Sequence, residues 1–281
     1  MDMLVSTGWL ARHLGDPDLA ILDASYHALE PDRDAAAEFA AGHIPGARHL
    51  DLKTLADPDD PLPAMLPPPE RFAERLRALG IGEATRVVLY DASPHRTAAR
   101  AWWMFRLFGM ARVALLDGGL ALWQAEGRPI ETGLARPVPR GDLAPRPPGA
   151  GVRSKAAMAA NLDGGAEQVV DARSKARFEG IEPDPRAGVA PGHIPGSRSL
   201  PYGAMIAPDG RWKSPAEIRA AFEAAGIDWS RPLVTTCGSG ITAAVLLFGA
   251  ALAGKADVAL YDGSWSDWGA DPALPKAVGP A

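Results

Sequence analysis

The amino-acid sequence repeats itself at an interval of about 150 residues. The motif G-H-I-P-G-A-R at residues 42–48 returns as G-H-I-P-G-S-R at residues 192–198, and I-L-D-A at residues 21–24 returns as V-V-D-A at residues 169–172. A seven-residue near-identity inside a consistent frame is very unlikely to arise by chance. The 281 residues are therefore expected to form two domains of ordinary size and similar architecture.

Within each half, short apolar strand candidates alternate with helical patterns. Residues 87–90 precede a helical stretch at residues 98–108, and residues 233–236 precede one at residues 243–252. This alternation is typical of α/β domains, in which helices flank a mainly parallel sheet. We therefore predict an α/β fold with one such sheet in each half.

A proline-rich stretch separates the halves. Residues 136–153 include Pro137, Pro139, Pro145, Pro147 and Pro148. Prolines at this density are incompatible with a helix or a central strand, so the stretch should run extended over the surface. We predict a linker over residues 136–153, between a first domain at residues 1–135 and a second domain at residues 154–281.

Cys237 is the only cysteine of the chain and follows the apolar, β-branched run at residues 233–236. Between a strand and a helix, a thiol faces backbone N–H groups and the positive end of the helix, which stabilise negative charge. A lone cysteine is often an inert core residue. However, Gly238 and Gly240 suit a backbone that curls around a ligand rather than a packed strand. We therefore predict that Cys237 is a nucleophile at the carboxyl end of a strand.

The corresponding position in the first half is Asp91, at the end of residues 87–91. A carboxylate can neither accept a sulfur atom nor form a thioester or a disulfide. The first half is therefore expected to be non-catalytic, and to pack against the second half and close its cleft.

The composition excludes several classes of function. The net charge is −5 and the basic residues are dispersed, so there is no footprint for nucleic acid or an anionic membrane. No apolar stretch approaches the roughly 20 residues of a membrane span, and the N-terminus lacks the pattern of a signal peptide. A single cysteine excludes an internal disulfide and favours a reducing, cytoplasmic location. The histidines have no zinc-site spacing and no phosphate-binding glycine motif is present, so no metal or cofactor is expected.

Several known cysteine chemistries fit the loop poorly. Phosphatases and arsenate reductases need an arginine six positions after the cysteine, where this chain has Ala243. A redox dithiol needs a second cysteine. A protease needs a histidine base, but His193 lies in the repeated G-H-I-P-G motif, and His43 recurs where no cysteine exists. That motif is better interpreted as a structural turn.

The motifs together resemble the tandem-domain sulfurtransferases of the rhodanese superfamily, and within it the 3-mercaptopyruvate branch. Besides the two G-H-I-P-G motifs, the resemblance lies in D-G-G-L at 117–120, D-A-R-S at 171–174, Y-D-G-S-W at 261–265 and C-G-S-G-I-T at 237–242. It implies transfer of sulfane sulfur from 3-mercaptopyruvate to a thiol or cyanide, through a persulfide on Cys237 and with release of pyruvate.

The branch is indicated by the residues directly after the cysteine. Thiosulfate-preferring relatives typically carry Arg and Lys there, whereas this chain has Gly238 and Ser239. Thiosulfate is a compact dianion, so cations within the loop would help to bind it. Mercaptopyruvate carries its carboxylate far from its sulfur, and therefore needs cations outside the loop.

Such cations are supplied by Arg177 and Arg186, which match the carboxylate-binding arginines of the family. A guanidinium can hold a carboxylate through paired hydrogen bonds. The alternative for either arginine is a surface salt bridge, because Glu179, Glu182 and Asp184 are close in sequence.

The resemblance also implies roles for the loop itself. The backbone N–H groups of the loop would stabilise the thiolate and the persulfide. They belong to residues 238–242, which include Gly238, Gly240, Ile241 and Thr242. Ser239 would bond to the substrate carbonyl or relay a proton, unless it is only a small loop residue, and Thr242 would cap the following helix.

The chain departs from the family at one motif. Mercaptopyruvate enzymes often have a histidine before a Met-Leu-Pro triplet, as part of an Asp–His–Ser proton relay. Ala64 stands at that position, before residues 65–67, and the aspartate partner falls at Lys53, with Asp51 nearby. The relay is therefore not expected in its usual form.

Other functions stay open at this stage. The chain could be a thiosulfate:cyanide sulfurtransferase, a persulfide carrier for a partner protein, or a scaffold without turnover. The expected sulfur acceptor is thioredoxin or a small thiol. A monomer is expected, because the duplication already provides an internal pseudo-dimer.

Overall fold

The computed structural model describes all 281 residues and divides them into two compact units. Unit 1 comprises Met1–Asp57, Leu66–Gly149 and Ala207–Trp212, and unit 2 comprises Pro58–Met65, Ala150–Ile206 and Lys213–Ala281. Each unit contains one five-stranded sheet in which all neighbouring strands are parallel. The predicted α/β fold, with a parallel sheet in each half, is confirmed.

The sheet of unit 1 has the order β1-β5-β4-β2-β3. Its strands are β1 (Leu4–Val5), β2 (Leu19–Asp23), β3 (Arg48–His49), β4 (Arg86–Tyr90) and β5 (Val113–Leu116). Its helices are α1 (Thr7–His13), α2 (Ala35–Ala41), α3 (Pro69–Ala78), α4 (Ala98–Leu107) and α5 (Gly119–Ala125), and a 3₁₀ turn spans Leu52–Leu55. Trp123 lies fully buried in a core on one face of this sheet.

The sheet of unit 2 has the corresponding order β6-β10-β9-β7-β8. Its strands are β6 (Val152–Arg153), β7 (Gln168–Asp171), β8 (Arg198–Ser199), β9 (Leu233–Thr236) and β10 (Val258–Tyr261). Its helices are α6 (Lys155–Gly164), α7 (Lys175–Phe178), α8 (Pro215–Ala224), α9 (Ala243–Leu252) and α10 (Ser264–Trp268), with a 3₁₀ turn at Tyr202–Met205.

The central strand β9 and the helix that follows it are both buried. All four residues of β9 are buried, as the apolar, β-branched run predicts for a strand with covered faces. Helix α9 is apolar on nearly all sides, and its first eight residues are buried, which is typical of a helix covered by its neighbours. No helix in the chain combines the length and apolar character needed to cross a membrane.

The repeated G-H-I-P-G motif is a structural turn in both units. The ring of His43 stacks on Phe39 at 3.9 Å between centroids, and that of His193 stacks on Phe178 at 3.7 Å. In each case Nδ1 lies 2.8 Å from the carbonyl oxygen of the same phenylalanine. The histidines therefore bind each turn to a helix of its own unit.

The proline-rich stretch is anchored over much of its length. Leu143 is only 2% exposed, and the Gly141 N–H donates to the Arg77 carbonyl at 2.9 Å within unit 1. At the far end, Val152 and Arg153 form strand β6, although they fall in the segment expected to be a linker. They pair with Leu260 and Tyr261, so β6 is an edge strand of the sheet. Prolines are tolerated beside an edge strand, because they interrupt no hydrogen bonds in the centre of the sheet.

Candidate active site

Cys237 lies where the sequence predicts, directly after the last residue of β9 and six residues before the start of α9. The residue is 2% exposed. Parallel α/β sheets bind ligands outside the carboxyl ends of their strands, because the loops there converge above the sheet. The position is therefore suited to a nucleophile that acts within a sheltered cleft.

The loop after β9 is held by the side chain of Ser264, at the start of α10. Ser264 Oγ accepts hydrogen bonds from the N–H groups of Cys237 at 3.2 Å and Gly240 at 3.1 Å, and donates to the Tyr261 carbonyl at 2.8 Å. Ser264 is fully buried and has a backbone φ of +50°. Non-glycine residues rarely adopt this conformation, and they persist in it where the surrounding structure fixes them.

Two further residues of α10 hold the carbonyl side of the same loop. The Trp265 N–H donates to the Cys237 carbonyl at 3.0 Å. The Gly238 carbonyl accepts from the Ser266 N–H at 2.9 Å and from the Ser266 hydroxyl at 2.6 Å. Sequence reasoning assigned neither Ser264 nor Ser266 to the site, although both lie in or next to the Y-D-G-S-W motif.

These contacts leave most of the loop N–H groups unused. The N–H groups of Gly238, Ser239, Ile241 and Thr242 donate to no oxygen of the protein, whereas that of Gly240 is directed to Ser264. Several unpaired N–H groups in a tight loop at a helix N-terminus attract an anion. The arrangement can stabilise negative charge on a sulfur at this position.

The two loop hydroxyls differ from each other. Ser239 is largely buried, and its hydroxyl forms no hydrogen bond within the protein, so it is available to a ligand. Thr242 was expected to cap α9, and that expectation is wrong, because its side chain makes no capping bond. A capping residue is typically extended, whereas Thr242 has the helical φ and ψ of −76° and −17°. Only its backbone carbonyl takes part in the helix start, where it accepts from the Val245 N–H at 3.1 Å.

Arg177 and Arg186 lie together beside the loop, held by one carboxylate. Asp184, with a side chain that is 1% exposed, accepts from Arg177 Nη2 at 2.6 Å and from Arg186 Nη1 at 3.2 Å. A Cβ atom placed on Gly238 would lie 3.2 Å from Arg186 Nη1 and 3.4 Å from Arg177 Nη2. The arginines thus make the salt bridges that the sequence allowed, and also flank the residue after Cys237.

The pairing with Asp184 does not use all the donors of the two guanidinium groups. Each guanidinium carries five N–H donors, and Arg177 Nε is buried without a hydrogen-bond partner. The side chains stay partly accessible, at 13% for Arg177 and 24% for Arg186. Together they can bind a carboxylate at the edge of the Cys237 loop.

The equivalent position of unit 1 shows why that half lacks such a site. Asp91 Oδ2 accepts from the N–H of Ala98, the first residue of α4, at 2.7 Å. Burial raises the pKa of Asp91 to about 6. In unit 2 the N–H of Ala243, the first residue of α9, donates to no oxygen of the protein. In unit 1 a carboxylate of the chain itself therefore accepts the N–H group whose counterpart in unit 2 has no acceptor within the protein.

Comparisons with known proteins agree with this architecture. Residues 6–126 and 154–271 each match the family described as Rhodanese-like domain. Over 271 residues the chain is 45% identical to 3-mercaptopyruvate sulfurtransferase of Homo sapiens, covering 94% of this chain and 91% of that protein. It is 41% identical over 273 residues to 3-mercaptopyruvate sulfurtransferase of Escherichia coli (strain K12), covering 96% of each.

Thiosulfate sulfurtransferase of Bos taurus is 39% identical over 272 residues, covering 94% of this chain and 91% of that protein. The crystal structure of SseA from Escherichia coli aligns with a TM-score of 0.86 and 37% identity, covering 94% of this chain and 99% of that one. The two matched domains span most of the sequence, and the strand orders of the two sheets repeat each other. The chain therefore belongs to the rhodanese family, as a protein with two rhodanese-like domains.

Proposed function

We propose that the protein is a sulfurtransferase that takes sulfur from 3-mercaptopyruvate through a persulfide on Cys237. The observation that carries the proposal is the pair Arg177 and Arg186 beside a loop of unpaired N–H groups that begins at Cys237. The relatives named 3-mercaptopyruvate sulfurtransferase support the same donor. Catalysis is assigned to the second domain, residues 154–281, because the first half carries Asp91 in place of the cysteine.

In the first step, the Cys237 thiolate attacks the sulfur atom of 3-mercaptopyruvate. A sulfur–sulfur bond forms and the carbon–sulfur bond breaks, and its electron pair leaves with the carbon as the enolate of pyruvate. The enolate then takes up a proton to give pyruvate. The N–H groups of Gly238, Ser239, Ile241 and Thr242 stabilise the charge on sulfur in the manner of an oxyanion hole.

The arginines select and orient the donor. The carboxylate of mercaptopyruvate lies at the far end of the molecule from its sulfur, and Arg177 and Arg186 flank the loop rather than standing within it. Charge-assisted hydrogen bonds to a carboxylate are among the stronger polar contacts in proteins. The carboxylate binds to the two guanidinium groups while the sulfur faces Cys237.

Ser239 provides the polar contact to the reacting part of the donor. Its hydroxyl has no partner within the protein, and it can donate to the substrate carbonyl as negative charge develops on that oxygen. Ala64 supplies no proton. Ser239 therefore acts with the loop N–H groups and solvent rather than through a histidine relay.

In the second step, an acceptor thiolate attacks the outer sulfur of the persulfide and regenerates the Cys237 thiolate. The acceptor is thioredoxin or a small thiol, and cyanide serves in its place in vitro. The single cysteine supports a reducing, cytoplasmic setting, and the internal duplication supports a monomer. Catalysis at Cys237 needs no metal or cofactor.

One of the sequence comparisons supports thiosulfate as a competing sulfur donor. The chain is 39% identical to thiosulfate sulfurtransferase of Bos taurus, so thiosulfate:cyanide sulfur transfer is the competing activity. The absence of a cation at positions 238 and 239 favours mercaptopyruvate over thiosulfate. A persulfide carrier would form the same intermediate but release its sulfur only slowly to small thiols.

Intact-protein mass spectrometry tests the proposal. The reduced protein is mixed with 3-mercaptopyruvate or, separately, with thiosulfate, and Cys237→Ser is the control. We expect a gain of one sulfur atom from mercaptopyruvate, absent in the variant. A gain from thiosulfate alone would assign the competing activity, and no gain from either donor would overturn the proposal.

A further inference from the structure

Unit 2 contains a cavity of about 350 Å³ at the N-terminal ends of the strands of its sheet. Its lining includes Gln168, the first residue of β7, and Arg231, which precedes β9. Cys237 follows the opposite end of β9, so the cavity is separate from the candidate active site. It also receives the C-terminal ends of two helices, through Gly165 after α6 and Gly226 after α8.

The corresponding place in unit 1 is filled by the protein's own chain. There, Ala135 packs against a core cluster that includes Leu10, Ile21 and Ile44. The residues at the same repeat positions in unit 2 line the cavity, and they are Met158, Val169 and Ile194.

The next residues of unit 1 continue along the same groove. A Cβ atom placed on Gly80 would lie 2.9 Å from the Val138 side chain and 3.0 Å from the Pro139 carbonyl oxygen. At the equivalent Gly226 of unit 2, the three atoms nearest to such a Cβ all belong to Arg198, the nearest at 3.5 Å, and Gly226 lines the cavity. The strip of backbone that Val138 and Pro139 cover in unit 1 is therefore open in unit 2.

The chain approaches both places along the same path. In unit 1 the Gly133 N–H donates to the Ala40 carbonyl at 2.8 Å, and in unit 2 the Gly279 N–H donates to the Glu179 carbonyl at 2.9 Å. Both glycines have a positive φ, of +93° and +88°. Residues 277–279 thus repeat the course of residues 131–133, and in unit 1 the residues that follow enter the groove.

The charged residues that line the open groove differ in whether they are engaged by other groups of the protein. The Arg198 guanidinium is exposed and makes no hydrogen bond or ion pair, whereas its counterpart Arg48 donates to the Leu79 carbonyl. The other charged lining residues are already engaged. Glu167 pairs with Arg153, Asp228 accepts from Ser230, and Arg231 donates to the Gly165 carbonyl. An occupant that brought a carboxylate to Arg198 would complete the site.

We propose that this groove, lined by Met158, Val169, Ile194, Arg198 and Gly226, binds an extended polypeptide segment of a partner protein. The occupant contains proline and carries a carboxylate that faces Arg198. Its extended form follows from unit 1, where an extended proline-containing segment fills the same place. Because the groove and Cys237 lie at opposite ends of β9, the bound segment leaves the sulfur-transfer site free.

A pair of synthetic peptides tests the proposal on the full-length protein. Both copy residues 134–141, and they differ only by Val138→Glu or Val138→Lys. A Cβ atom placed on Gly80 would lie 2.9 Å from the Val138 side chain and 2.8 Å from Arg48 Nη1, so these two side chains are neighbours in unit 1. Residue 138 of the peptide is therefore adjacent to Arg198. Affinities are measured by fluorescence anisotropy or calorimetry with the wild-type protein and with Arg198→Glu.

We expect the glutamate peptide to bind the wild-type protein about three- to tenfold more tightly than the lysine peptide. An exposed ion pair changes affinity by roughly fivefold or less, and exchanging attraction for repulsion enlarges the difference. Arg198→Glu should reverse the preference, while persulfide formation on Cys237 stays unchanged.

Three results would overturn the proposal. The first is no saturable binding of either peptide, and the second is equal affinity for both peptides that Arg198→Glu does not alter. The third is self-association of the wild-type protein that Arg198→Glu abolishes, which would assign the groove to a second copy of this chain. Persulfide formation is measured separately, so failure of the peptide test leaves the proposed activity intact.

Discussion

Ser264 holds Cys237 in place through its side chain, because its Oγ accepts the Cys237 backbone N–H at 3.2 Å. The same oxygen accepts from Gly240, so the two ends of the tight turn are tied to one atom. The counterpart of Ser264 in unit 1 is Gly119, where a Cβ atom would lie 2.7 Å from the Asp91 carbonyl oxygen. A serine at this point is therefore accommodated in the half that carries the cysteine and not in the other.

The first prediction concerns the hydroxyl of Ser264. Its loss in Ser264→Gly should lower kcat for sulfur transfer by about tenfold or more, with a smaller change in KM. Each buried N–H left without an acceptor costs roughly 1–3 kcal/mol, so the loop should relax away from the geometry that stabilises the persulfide. Steady-state kinetics with 3-mercaptopyruvate and an acceptor thiol measure the effect.

A second variant separates the hydroxyl from backbone strain. Ser264→Ala keeps a Cβ atom at a φ of +50°, which glycine adopts without strain. Similar losses of kcat in both variants would assign the effect to the hydroxyl. Full activity in the glycine variant would contradict a positioning role for Ser264.

The second prediction concerns Asp184, which binds both arginines at the site. Asp184→Asn removes the charge that holds two like-charged guanidinium groups together, so we expect KM for 3-mercaptopyruvate to rise about tenfold. The change in kcat should be small, because Asp184 stands behind the arginines. Glu182→Gln is the matched control, since Glu182 is exposed and lies two residues away. Equal KM values in wild type and Asp184→Asn would contradict a role for Asp184 in positioning the two arginines.

The third prediction distinguishes the two sulfur donors. Arg177→Ala should reduce kcat/KM for 3-mercaptopyruvate by about ten- to a hundredfold, as expected when a charge-assisted hydrogen bond worth roughly 1.5–3 kcal/mol is lost. Thiosulfate has no distant carboxylate, so its kcat/KM should fall less. Lys175→Ala, at an exposed position of the same helix, should change neither value. A proportional loss for both donors would argue against carboxylate binding by Arg177.

The fold could be predicted from the sequence because its signals are local and occur twice. Alternating apolar runs and helical patterns predict parallel sheets, and the repeat places Cys237 after β9. The role of Ser264 could not be found in this way. It lies 27 residues after Cys237, and it reaches the loop because β10 pairs with β9 in parallel register.

The contacts of Asp184 and the conformation of Thr242 also depend on tertiary structure and could not be predicted from the sequence. Asp184 is recognisable in the sequence as a possible partner of either arginine, but its burial between both of them is not. The missing cap at Thr242 depends on the loop entering α9 already in helical conformation. A propensity for capping cannot reveal that geometry.

The last prediction concerns the pH dependence of stability that Asp91 confers on unit 1. Burial raises the pKa of Asp91 from 3.8 to about 6. Between these two values the folded chain binds a proton that the unfolded chain has released, so stability falls as the pH rises through this range. The loss is complete above the folded pKa and amounts to at most about 3 kcal/mol, since one pKa unit corresponds to about 1.4 kcal/mol.

Asp91→Asn removes this titration and retains an oxygen that can accept the Ala98 N–H. Relative to wild type, the variant should therefore gain stability towards urea between pH 4.5 and pH 7.5. Asp18→Asn provides the opposite case, because the hydrogen bond from Arg86 holds the pKa of Asp18 below its usual value. The stability that Asp18 contributes is present at neutral pH and is lost as the pH falls, so its variant should be weakened at pH 7.5. A stability difference between Asp91→Asn and wild type that did not change with pH would show that the buried carboxyl is not titrating in this range.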